Sequence, residues 1–219
     1  MKNKEFGTVI GTFGKGIKGS VTVNFSQSGG EHCDDSCSLK GDGCYACTTE
    51  RMKPSINVNL IRKESNKESY LDVLASDKAI TKLSNAPWVR FSAFGSVYKP
   101  ETVSPDMREN LRKIARSLDH KCVHFPVERF DKADMLAQAG FKPRVSMGEC
   151  SDKALSDGID TGYPLSVVVK GEKLARGKYK RKHSDKAVQL VKDLHSRGVS
   201  AKVCPAIAGK AKCGSCLYL

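Results

Sequence analysis

Seven of the chain's nine cysteines fall in two groups, and thiols at such spacing are the residues best able to do chemistry here. The first group is Cys33, Cys37, Cys44 and Cys47, a C-x3-C-x6-C-x2-C pattern. Gly41 and Gly43 lie between its second and third members, where a chain wrapping an ion or cluster must turn back sharply. The second group is Cys204, Cys213 and Cys216, in CPAIAGKAKCGSC. Zinc is held in closed tetrahedral sites by two short cysteine hooks separated by a longer span, and Cys44 with Cys47 and Cys213 with Cys216 are such hooks. Together they would make one zinc knot tying two distant parts of the chain. Iron–sulfur clusters also take three or four thiolates, and a cluster held by three leaves one iron open to a substrate or cofactor. Cys33, Cys37 and Cys44 would supply that arrangement. Spacing leaves both metals open.

A disulfide framework is the poorer explanation of these thiols. A chain of 219 residues typically buries about 70% of its unfolded surface and needs no staples. Its first residues, MKNKEFGTVI, are charged and lack an apolar leader core, so a cytoplasmic setting is expected, where cysteines serve metals or chemistry. A membrane span is not expected either, because no apolar run approaches about 20 residues. Other catalytic signals are sparse: there is no Walker loop, GxSxG elbow or HExxH. His120 and His124 are too few for a metal pair, and His32 beside Cys33 is a substitute thiol ligand at best. Cys122 reads as core, Cys150 as a weaker ligand candidate, and Glu128 and Arg129 as strand-end residues able to line the same pocket.

The elements that must position these groups are read from periodicity. Val21, Val23 and Phe25 mark a strand leading into the cysteine loop, and Ile56, Val58 and Leu60 predict a further extended piece before a polar loop over 63–69. Tyr70 to Leu83 predicts one helix. Beyond it, PWVRFSAFGS reads as a strand, Ser104-Pro105-Asp106 as a capped helix start, and KCVHFPV as a strand. The alternation then continues: a helix over 131–139 stopped by Gly140, the strand RVSMG, a helical turn near Asp152 to Ser156, and the strand PLSVVVK. Last come a helix begun by Ser184 and ended by Gly198, and the strand VSAKVCP. Strands alternating with helices imply parallel pairing, and about six of them favour a partial (β/α)6-like barrel, with an open doubly wound sheet as the alternative. The expected organisation is a single α/β metal-binding domain over 1–219, with a cysteine loop at 33–47, a basic segment at 170–186 and a C-terminal cysteine cluster at 204–216. Both cysteine groups follow strand ends, so they should meet on one face.

The net charge is +13, from 37 Lys and Arg against 24 Asp and Glu, which points to an acidic partner, most commonly nucleic acid. The segment 170–186 concentrates it, with eight Lys and Arg against Glu172 and Asp185. Lys178, Lys180, Arg181 and Lys182 there would track a phosphate backbone while Tyr179 stacks on a base; the plainer alternative is a solvated loop.

Two resemblances add to this reading. The run Cys33-x3-Cys37-SLKGDG-Cys44-Tyr45-Ala46, with Trp88-x-Arg90-x4-Gly95, Cys204-Pro205-Ala206 and Cys213-Gly214-Ser215-Cys216-Leu217, resembles small, largely uncharacterised phage- and plasmid-encoded cysteine-rich proteins. The likeness runs through most of the chain, apart from Gly95-Ser96 where such proteins tend to carry Gly-Asp and a basic segment that looks like an insertion. More distantly, a cysteine loop after the first strand of a six-strand partial barrel resembles the radical S-adenosylmethionine (SAM) enzymes. That resemblance implies Cys33, Cys37 and Cys44 as ligands of a [4Fe–4S] cluster that binds SAM, with Gly95 and Ser96 where the amine-binding motif belongs. The last cysteine gap is six residues here against two in that superfamily, and Gly-Gly-Glu does not follow the second strand.

Overall fold

Apolar residues at every second position build the strands of this chain, and apolar stripes at helical spacing build the segments between them. The computed structural model describes residues 2–4, 6–12, 20–25, 54–92, 97–118, 122–124, 126–127, 129–148, 162–168, 172–173, 179–180 and 185–203. The chain opens with β1 (Lys2–Asn3) and β2 (Gly7–Thr8), an antiparallel pair, followed by β3 (Ile10–Thr12) and β4 (Val21–Val23). Helices α1 (Pro54–Ser65), α2 (Lys67–Leu74) and α3 (Asp77–Ser84) precede β5 (Trp88–Phe91). A 3-10 turn at Pro100–Thr102 and α4 (Pro105–Arg116) lead to β6 (Cys122–His124) and β7 (Pro126–Val127). Then come α5 (Phe130–Gln138), β8 (Arg144–Gly148), β9 (Leu165–Val168), the hairpin strands β10 (Glu172–Lys173) and β11 (Tyr179–Lys180), α6 (Asp185–Ser196) and β12 (Ala201–Val203).

The fold is α/β with parallel sheet. One sheet has the order β3-β4-β5-β6, in which β3 is antiparallel and β4, β5 and β6 run parallel. The other, β7-β8-β9-β12, is parallel throughout. Residue 125 alone separates β6 from β7, so the chain passes from the first sheet directly into the second. Within each of these sheets spatial order follows chain order.

Local chemistry accounts for most of the boundaries. Ser104 precedes α4 with extended backbone, and its side-chain oxygen accepts from the Met107 N–H, a cap of the kind worth about 1 kcal/mol. Helices α5 and α6 end alike. Gly140 (φ 98°) and Gly198 (φ 79°) adopt the left-handed conformation, and the next residues, Phe141 and Val199, donate back to Leu136 and Leu194 carbonyls. The helix expected over 70–83 is two helices. The chain breaks at Ala75 and Ser76, where the Ser76 hydroxyl donates to the Val73 carbonyl and extended backbone starts α3 afresh.

One expectation is corrected. Ile56, Val58 and Leu60 lie in α1, not in a strand, and the stretch read as a polar loop forms the end of α1 and the start of α2. Alternate apolar residues over so short a run fit either period; Pro54 at the first helical position decides for the helix. Lys63 misled most: it is only 4% exposed and occupies an inward position of α1.

Among the described residues one hydrophobic cluster joins both sheets to the helices. Strand residues Val21, Val23, Val89, Phe91, Val145, Leu165 and Ala201 meet Leu71, Leu83, Leu111, Leu136 and Leu194 from α2 to α6. No described helix is long and apolar enough to cross a membrane.

Candidate functional site

Strand register divides each sheet into two unlike faces. Residues in register on neighbouring strands point the same way, and successive residues along a strand point opposite ways. In the first sheet Val21 pairs with Val89, on the face that packs on the helices. The adjoining row is Thr22 and Arg90. In the second sheet Val145, Leu165 and Ala201 form the buried row, and the adjoining one is Ser146, Ser166 and Lys202. Thr22, Arg90, Ser146 and Ser166 are half-buried and Lys202 is exposed. By alternation the buried Trp88 and Ser20 share this face of the first sheet with Arg90 and Thr22, so its polar row is bordered by buried residues.

The C-terminal ends of β4 and β5 are tied together and to the helices. Ser92 donates its N–H to the Val23 carbonyl at 2.8 Å, extending the ladder past the end of β5. The Asn24 carbonyl accepts from the Tyr70 hydroxyl at 2.8 Å and from Lys63 Nζ at 3.5 Å. Lys63 Nζ also stands 4.8 Å from the centre of the Tyr70 ring. Burial lowers the Lys63 amine to about 8, and it holds the Tyr70 phenol well above its ordinary range, with Tyr98 adding to the effect. Beneath them the rings interlock: Phe25 stacks on Phe91 with centroids 5.6 Å apart, and Tyr98 and Phe141 meet Phe25 and Phe91 edge-on.

Ser92 is the anomaly of this region. Its φ is 49°, in the left-handed region that L-residues adopt at a cost, and it is 5% exposed. Its hydroxyl oxygen is buried with no hydrogen-bond partner among the described residues. Strain of this kind persists where surrounding structure enforces it, and it gathers at functional positions.

The residues singled out from sequence fall into three sets. Cys33, Cys37, Cys44, Cys47, Cys150, Cys204, Cys213 and Cys216 lie outside the described residues, as do Gly95, Ser96, His32, His120, Glu128, Lys178, Arg181, Lys182 and the turn near Asp152. What is described is their attachment: β4 ends ten residues before Cys33, and Cys204 directly follows β12. Cys122 lies in β6, in register with Trp88. Tyr179 and Lys180 form β11, in register with Lys173 and Glu172, so part of the segment read as a loop is a hairpin. Arg129, expected to line a pocket at a strand end, lies between β7 and α5, and its guanidinium pairs with Asp131. Among the described residues no three His, Cys, Asp or Glu side chains gather as a metal site.

Sequence reading missed Lys63, Tyr70, Ser92 and the polar row. Alternation in RVSMG and VSAKV hinted at the row, whereas nothing local marks Ser92. No protein-family model, curated protein or solved structure matches the chain.

Proposed function

We propose that this chain is a cysteine-cluster metalloprotein built on a partial (β/α)6-like barrel, an iron–sulfur protein of radical-SAM-like architecture that acts on or with nucleic acid. The observation that carries the reading is topological: the parallel strands follow chain order, and both cysteine groups come after strands of that series, β4 and β12. In parallel α/β folds the chemistry gathers at the C-terminal strand ends. The donor set fits a cluster, since Cys33, Cys37 and Cys44 offer three soft thiolates and leave an iron site open. When bound, such a cluster supplies an open iron for SAM or another chelating ligand. Gly95 and Ser96, four residues past the end of β5, would then meet that ligand with backbone and hydroxyl groups.

Nucleic acid is the partner that the +13 charge and the basic segment favour. With β10 and β11 paired, Lys173 and Tyr179 stand in register. A second reading, a zinc-stabilised nucleic-acid-binding protein without catalysis, is favoured by the two C-x2-C hooks at Cys44/Cys47 and Cys213/Cys216.

The test is metal content after purification without oxygen. About four iron and four sulfide per chain, lost in Cys33→Ser, Cys37→Ser and Cys44→Ser, is the expected outcome. Zinc without iron overturns the cluster and leaves the second reading; no bound metal overturns both.

A further inference from the structure

Resting on the metalloprotein reading but not on the choice of metal, we infer that Lys63 and Tyr70 are positioning residues for the metal. By holding the Asn24 carbonyl from two helices, they fix the base of the span that carries Cys33, Cys37, Cys44 and Cys47.

Three observations converge on this role. First, the Lys63 bond joins residues 39 apart in sequence, and the whole first cysteine group lies between them. Asn24 directly follows β4, the strand that precedes the thiols, and Lys63 belongs to α1, the helix that comes after them. The first residue of α1, Pro54, stands seven positions past Cys47 and about 14 Å along the helix axis from Lys63. Second, both partners of the bond are themselves anchored. Next to Asn24, the Val23 carbonyl accepts from the Ser92 N–H at 2.8 Å, and the Phe25 ring packs on Phe91 and Tyr98. On the other side Tyr70 is fully buried, its ring edge-on to Phe6 with centroids 5.4 Å apart. A span whose ends are already fixed has less entropy to lose when its thiolates gather on one ion or cluster. Third, the Tyr70 hydroxyl already satisfies the Asn24 carbonyl at 2.8 Å, so folding alone does not call for a second donor. Lys63 is only 4% exposed, and burial lowers its amine to about 8, so its charge costs stability at pH 7. Buried groups kept at such a cost cluster at functional sites.

Release of metal from the full chain, purified without oxygen and mixed at pH 7 with an excess of a pyridylazo dye that colours with zinc and iron alike, tests the role. Tyr70→Phe keeps the ring and removes only the hydroxyl; Lys63→Met keeps the stem and removes only the amine. Each should release the metal about fivefold faster than wild type, the factor that one hydrogen bond carries. A purely structural role predicts no such change for Lys63→Met, because relief of the buried charge leaves that variant at least as stable as wild type in urea. Leu136→Ala, a core change on α5 that leaves both bonds to Asn24 intact, is the control and should release at the wild-type rate. Should Tyr70→Phe fail to fold, Lys63→Met decides alone. Wild-type rates in both variants, or equal acceleration in Leu136→Ala, overturn the inference and leave the metal reading standing; a wild type without bound metal overturns the two together.

Discussion

The two sheets use the same parallel ladder but different interiors. Around β4 and β5 the core is aromatic, with Phe6, Phe25, Tyr70, Phe91 and Tyr98 all fully buried, and it also encloses Ser20, Lys63 and Ser92. Around β8, β9 and β12 it is aliphatic, with Val145, Leu165, Val167 and Ala201, and Lys132 on α5 is its buried charge. Helix-to-strand ties differ in the same sense. In the first half Tyr70 and Lys63 reach the Asn24 carbonyl from the interior; in the second, His195 Nε2 donates to the Ala201 carbonyl at 2.7 Å from an exposed position. Buried polar ties act in a low dielectric, so they hold a strand end more firmly than exposed ones. The first half therefore has the means to hold a strained residue such as Ser92, and the second reads as its support.

The largest effect expected from this contrast is in the cores. Phe91→Ala removes a ring that touches Phe25 and Phe141 and should destabilise by about 4 kcal/mol, against about 3 for Leu165→Ala in the aliphatic sheet. Urea unfolding of the two variants checks it, and a larger loss at Leu165 would reverse the assignment of the two halves.

Next in size is the pH dependence of Lys63. Its amine falls to about 8 when folded and returns to 10.5 when unfolded. Between those values the unfolded chain binds the extra proton, so stability rises with pH across that window and the penalty is complete below pH 8. A gain of roughly 2 kcal/mol from pH 7.5 to 10 is expected. Above pH 10 the sign changes, because Tyr70 and Tyr163 are held above their ordinary value in the fold and ionise first in the unfolded chain. Lys63→Met should flatten the rise between pH 8 and 10. An unchanged profile in that variant would remove the buried amine from the account.

The smallest effect sharpens the contrast most. Ser92→Gly relieves left-handed strain and deletes an unmatched hydroxyl, so it should raise stability by up to about 1 kcal/mol. Ser146→Ala, on the corresponding face of the second sheet, should stay within about 0.5 kcal/mol of wild type. Thermal unfolding measures both; a clear loss of stability in Ser92→Gly would make Ser92 a structural residue.

Much of this architecture was legible in the residues themselves. The start of α4 at Ser104 and Pro105, the stops at Gly140 and Gly198, and the alternation of strands with helices rest on local preferences that need no distant partner. The donor chemistry of the two cysteine groups is likewise a property of residue type and spacing. Tertiary structure decided the rest. Lys63 is an interior residue whose amine meets the Tyr70 ring and the Asn24 carbonyl, the latter from a strand end far away in sequence. The polar row needs register between strands far apart in sequence, and the left-handed conformation at Ser92 occurs where its N–H bonds the Val23 carbonyl of another strand. Such placements are long-range outcomes of strand pairing and close packing, which no short window of sequence contains.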